Sequence, residues 1–217
     1  MHPIILVQQQ QLILLVGVFI KTCYATGNEI LWLLLCKSIV LLTYTSYLSG
    51  SMQIKPGIVL ISLPAEDELL FDKAVIFITE YTTNGALGFV INKLFPRSFN
   101  ELTEFKHARP LPLYYGGPVE QEHLFFLHRR PDVIEGGTAV TDNVYFGGNF
   151  KHAVQCNTNN SIADDDMQLF IGYCGWDAGQ LEEEITEGSW LVVDNGAGYV
   201  FKLPDTIVWE DIYRNKM

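Results

Sequence analysis
The run from Gly172 to Ile185, Gly-Tyr-Cys-Gly-Trp-Asp-Ala-Gly-Gln-Leu-Glu-Glu-Glu-Ile, constrains the fold of this chain more than any other segment, because three elements follow one another without slack. Met167 to Tyr173 predicts an apolar strand, Gly175 a turn, and Ala178 to Glu187 an acidic helix. Asp177 can accept from the free amides of the first turn and Gln180 can reach back, a capping-box arrangement that Gly188 closes at the other end. The joint is specified locally, as a built site or a built scaffold.

Two further glycine motifs precede it, Gly85-Ala86-Leu87-Gly88-Phe89-Val90-Ile91-Asn92 and Tyr115-Gly116-Gly117-Pro118-Val119. Around them the chain reads as strands at Gly57–Ser62, Ala74–Tyr81, Gly88–Asn92, Leu111–Tyr115, His123–His128 and Ser189–Asp194. Asn84-Gly85 is a hairpin signal, since both residue types tolerate positive φ. A helical turn is expected over Ala65–Asp72, a helix over Ser98–Phe105 with Ser98 as cap and Glu101 at the capping-box position, another over Phe146–Cys156, and an amphipathic one over Pro204–Met217. Asn157 to Asp166 reads as an exposed loop. Hairpins mixed with helices, without a βαβα repeat, argue for an α+β fold in a single domain.

The three ordered motifs, with Gly57-Ile-Val-Leu-Ile-Ser-Leu-Pro64, Phe71 and the strand at Val75, resemble the YqgE/AlgH family from near Gly57 to about Phe201. The resemblance implies a compact mixed sheet, partly barrel-like and flanked by helices. It also implies a regulatory role, because the name-giving member of the family is described as a transcriptional regulator of alginate production.

Residues 1 to 51 differ in character. Leu12 to Ile20 and Ile30 to Cys36 are wholly apolar, and only Lys21, Glu29 and Lys37 carry charge. No lysine or arginine precedes the first apolar stretch, so a secretory signal fits poorly. A spanning helix over Ile30–Leu48 would hold Lys37 inside it at about 2.5 to 3.5 kcal/mol if central. Because the resemblance starts just after Met52, the expectation is that 52–217 is the domain, that translation starts at Met52, and that the protein is cytoplasmic. A genuine membrane anchor in 1–51 is the alternative.

The formal charge of −11 opposes direct nucleic-acid binding, which relies on lysine and arginine displacing counterions. The densest basic stretches, Lys106-His107-Ala108-Arg109 and His128-Arg129-Arg130, are short. Cys23, Cys36, Cys156 and Cys174 form no CxxC pair, the histidines lack metal-ligand spacing, and Asp164-Asp165-Asp166 lacks the pattern of a calcium loop. Neither a metal nor a cofactor is expected. Phosphate-cradling and nucleophile-elbow motifs are absent.

What remains is an inventory of amides, backbone groups and one large ring. Asn84, Gly85, Gly88, Asn92, Gly116, Gly117, Pro118, Gly175, Trp176, Gly179, Gln180 and Glu184 are the candidate groove for a protein or small-molecule partner. The same glycines would equally solve chain-turning and close-packing problems. The expectation is a non-enzymatic binding or regulatory protein acting through a partner. The alternatives are a hydrolase or transferase using Gln180, Glu184 and Cys174 around Trp176, or a membrane-tethered adaptor.

Overall fold
The structure, a computed structural model, describes residues 53–63, 71–201 and 206–216. The expectations for residues 1–51, most of the helical turn at 65–72, and the start of the last helix lie outside them.

Among the described residues ten strands form one sheet: β1 (Val59–Ser62), β2 (Val75–Thr82), β3 (Gly85–Val90), β4 (Leu94–Ser98), β5 (Pro112–Tyr115), β6 (Val119–His128), β7 (Thr138–Thr141), β8 (Val144–Phe146), β9 (Met167–Asp177) and β10 (Trp190–Val193). Their order is β10-β1-β2-β3-β9-β6-β8-β7, with β5 beside β9 and β4 beside β5. All pairs are antiparallel except β5 with β9. Among the described residues the α-helices are α1 (Phe150–Thr158), α2 (Gln180–Glu187), α3 (Ala197–Val200) and α4 (Thr206–Lys216).

The α+β expectation holds, and so does the curl of the sheet. The β7 end returns to the start of β1, where a Cβ on Gly57 would lie 2.7 Å from Thr141 Cγ2. No pairing joins β7 to β1, so the sheet stays open. Phe77, Phe89, Tyr114, Leu127, Val144 and Phe170 fill the space the curl encloses. Helix α4 closes one side, with Trp209 buried and its indole N–H donating to the Ser62 carbonyl at 3.0 Å.

Strand β9 is the spine. Its first half pairs with β6 on one side and β5 on the other, and its second half pairs with β3. Between β5 and β6 the chain must cross β9, and it does so at Gly116-Gly117-Pro118. A Cβ on Gly116 would sit 2.2 Å from the Gly172 oxygen, and one on Gly117 2.2 Å from the Tyr173 oxygen. Two backbones touch here, which only glycine permits. Gly172 itself adopts φ +68, kinking β9 under the crossing.

Several local expectations shift. The glycine turn at Gly175 is strand, because Gly88 to Gly85 of β3 pairs with Cys174 to Asp177. The helix starts at Gln180, after Gly179 at φ +84 takes the cap position expected of Asp177, and Gly188 ends it at φ +86. Half of the expected box forms: Gln180 Oε1 accepts from the Asp177 N–H at 3.0 Å. Thr83 and Asn84 make the hairpin turn, with Gly85 already paired to Thr82. Ser98–Phe105 is the end of β4 and two 3₁₀ turns rather than one helix, although the Ser98 N–H donates to Glu101 Oε2 at 2.6 Å. Helix α1 begins at Phe150 because Gly147 and Gly148 have positive φ and Asn149 caps the His152 N–H. Phe146 belongs to β8.

Candidate functional site
Alternation along β9 divides the signature run in two. Cys174 and Trp176 point to one face of the β2–β3–β9 layer, where Ile76, Ile78, Val90, Leu181 and Trp190 bury them. Tyr173, Gly175 and Asp177 lie on the other face.

The first face is sealed by one carboxylate. Glu184 Oε2 accepts from the indole N–H of Trp176 at 2.8 Å and of Trp190 at 2.7 Å, and Glu184 Oε1 accepts from Gln180 Nε2 at 2.9 Å. The two indoles meet edge to face with centroids 6.2 Å apart. Cys174, 2 % exposed, donates its thiol to the Gly116 carbonyl at 3.4 Å. Burial, with Glu184 adding its charge, pushes that thiol up to about 12, so it stays protonated and un-nucleophilic at neutral pH. In the alternative enzyme centre around Gln180, Glu184 and Cys174, the carboxylate is engaged by the two indoles and Gln180.

The second face opens into a cleft of about 450 Å³. The register sets its lining: Glu80 lies across from Leu87 and Leu87 from Gly175, while Thr82 lies across from Gly85 and Gly85 from Asp177. Gly175 leaves the floor bare, since a Cβ there would meet only the Tyr173 ring, at 3.2 Å. Val119, Asn84 and Gln180 complete the rim. Tyr173 titrates above its ordinary value, first through burial and then through the adjacent Glu120.

Of the sequence candidates, Asn84, Gly85, Gly175, Trp176 and Gln180 come together in this cleft. Glu184 lies behind its wall and Gly179 caps the adjoining helix. Gly88 fits under the Phe77 carbonyl, and Gly116, Gly117 and Pro118 make the crossing. Asn92 ties the start of β2, accepting from the Val75 N–H at 2.9 Å and donating to the Lys73 carbonyl at 2.8 Å. Glu80, Thr82, Leu87, Val119, Tyr173 and Asp177 were not candidates on sequence. For Tyr173 and Asp177 the signal was period-2 alternation, which puts them on one face with Gly175.

No serine, cysteine, lysine or histidine lines the cleft. Among the described residues no group of three or more histidine, cysteine or acidic side chains is placed to hold a metal. The arginines of the basic stretches are paired: Arg109 with Asp164, Arg129 with Asp165 at 3.6 Å, and Arg130 with Asp166 at 3.2 Å and Asp132 at 2.7 Å. The aspartates expected as a solvated loop are therefore counterions. Among the described residues, no helix is long and apolar enough to cross a membrane.

A family model described as AlgH-like matches residues 59–217. A protein of Cytophaga hutchinsonii named UPF0301 protein is 31% identical over 160 residues, covering 73% of this chain and 88% of that one. A Bacteroides thetaiotaomicron protein of the same name is 32% identical over 155 residues, covering 71% and 79%. The AlgH protein from Pseudomonas aeruginosa, solved in solution, superposes with a TM-score of 0.61 at 23% identity over 76% of this chain and 93% of its own. A crystal structure of a Corynebacterium diphtheriae protein gives 0.58 at 22%, over 76% and 88%. At such identities these structures speak for the fold alone.

Proposed function
The chain belongs to the AlgH-like family, and from that premise we propose that it is a cytoplasmic, non-enzymatic binding or regulatory protein whose working surface is the cleft over Gly175. The observation that carries this is the split of β9: one face is packed shut, while the other keeps a glycine floor and a polar rim whose lining holds no serine, cysteine, lysine or histidine. A surface of that kind suits recognition better than bond-breaking. Regulation of transcription would then run through a protein partner, because a charge of −11 and arginines already paired to aspartates disfavour direct contact with nucleic acid.

Native mass spectrometry of the protein, recovered from its own cell by a C-terminal tag, tests this. A protein or small molecule retained by the wild type and lost from Gly175→Val supports the proposal. A bare polypeptide, or a partner held equally by the variant, sinks it. The polypeptide mass also decides between the two expectations for residues 1–51.

A further inference from the structure
If the cleft binds, its charge and its backbone say what it is built to receive. Glu80 and Asp177 are the charged residues of its lining, and no lysine, arginine or histidine stands among them. Neither carboxylate makes an ion pair with a described residue; Glu120, outside the lining and 3.2 Å from His123 Nδ1, sits beside the Tyr173 hydroxyl. Most of the rim is exposed, Glu80, Thr82, Asn84, Asp177 and Gln180 included. A small cation would be covered on one side only.

The second observation is main-chain and independent of charge. Beyond Tyr173, β9 has β3 on one side and, among the described residues, no strand on the other, because the pairing of β6 with β9 ends at Val119 opposite Tyr173. The Asp177 N–H turns off the ladder to Gln180 Oε1. In an antiparallel pair the hydrogen-bonding direction alternates along the strand, so Gly175, two residues earlier, directs its N–H and C=O to the same open side. An exposed strand edge of this kind is a template for another strand. The bare Gly175 floor leaves space for the incoming side chains.

We infer that the cleft receives an extended basic segment of a partner protein, added as a short strand along the open side of β9 at Gly175–Asp177, with lysine or arginine side chains over Glu80 and Asp177. The strand answers the Gly175 backbone groups on the open side, the cations answer the carboxylates, and the half-buried Tyr173 ring offers a face to a cationic head. This inference rests on the binding role proposed above.

The test uses the full chain and a fluorescent peptide of alternating lysine and valine, read by anisotropy. Three comparison ligands accompany it: a glutamate–valine counterpart, the lysine peptide N-methylated at alternate residues, and spermidine. The lysine peptide is expected to bind, to weaken as salt rises, and to lose about tenfold in affinity on the double variant Glu80→Gln, Asp177→Asn. Alternate N-methylation, which keeps charge but forbids strand pairing, should cost a similar factor. No binding, equal binding of the acidic peptide, or indifference to the double variant overturns the inference. Spermidine binding as tightly as the peptide, with N-methylation harmless, overturns it in favour of a free small cation. Both substitutions are near-isosteric and exposed, so an unchanged thermal melt separates lost recognition from lost folding. A natural partner retained through the cleft while the lysine peptide fails would leave the binding role standing and remove only the basic segment.

Discussion

The two faces of β9 are built from neighbouring residues of one strand and reach opposite ends. Cys174 and Trp176 vanish under α2 and β10, while Tyr173, Gly175 and Asp177 stay at an open cleft. The sealed face engages a carboxylate with two indoles, and the carboxylates of the open face have no ion-pair partner among the described residues. Glycine differs as well. At Gly117 it lets backbones touch, and at Gly175 it leaves space beside a ring. The same residue type thus serves closure on one side and access on the other, and substitution can separate the two.

The largest effect is expected at the crossing. Gly117→Ala drives a methyl into the Tyr173 carbonyl, which is backbone in a central strand and has nowhere to go. A loss of about 3 kcal/mol or more follows from overpacking against an immovable partner. Chemical denaturation reads it directly. Stability within about 0.5 kcal/mol of wild type, the range of an ordinary surface substitution, would mean that the crossing glycines are no tighter than those of the cleft and would break the comparison.

Next comes the clamp on the sealed face. Glu184→Ala leaves the Trp176 and Trp190 N–H groups, on side chains 8 % and 7 % exposed as residues, without their acceptor. Two stranded donors cost about 2 to 4 kcal/mol, whereas Glu184→Gln, which keeps a carbonyl oxygen for the indoles, should cost about 1 kcal/mol. Equal melting temperatures for the two variants would show that the indoles do not depend on this side chain.

How much of this contrast could be read from the chain depends on distance. The strand and hairpin at Val75–Val90, the helix after Gly179 and its glycine stop were legible because their signals are local: β-branched runs, Asn-Gly, a glycine C-cap. Strand β4, carrying Pro96, and the short pair β7–β8 were not, because a partner rather than propensity defines them. The motif at Gly116-Gly117 announced close approach without saying to what, since Gly172 lies far along the chain. Glu80 and Leu87 joined the cleft only through a register that shifts at the bulge between Ile78 and Glu80. Tyr173, Gly175 and Asp177 were within reach. Reading Gly175 as a turn hid an alternation that the letters display.

A pH experiment addresses the sealed face without disturbing packing much. The Cys174 thiol moves from an ordinary 9.0 to about 12 on folding, so above pH 9 the folded chain binds more protons than the unfolded one. Its contribution is fully present below pH 9 and is lost as pH rises toward 12. Linkage puts the loss at about 1.4 kcal/mol by pH 10. Cys174→Ala lowers stability at neutral pH through the lost sulfur but should lack this alkaline component, so the gap between wild type and variant narrows as pH climbs. A constant gap would mean that the thiol ionises in the folded state as it does in water, and that the face is not sealed.

The smallest change in stability should accompany the sharpest change in access. Gly175→Val adds a β-branched side chain in a strand at a position whose φ lies outside the left-handed region, so propensity favours it by up to about 1 kcal/mol. Against this, the Tyr173 ring edge, 3.2 Å from the new Cβ, must give by a few tenths of an ångström, which a half-exposed ring can do. The two terms nearly cancel, and the melt should move by no more than a degree or two. The cleft, by contrast, loses its floor space, and amide exchange at Asp177 should slow as the new side chain shields the strand edge. If Gly175→Val destabilised the protein as severely as Gly117→Ala, the glycine would be a packing residue like those of the crossing. The open face would then be an accident of the fold, because a position kept free for a ligand has no reason to hold the structure together.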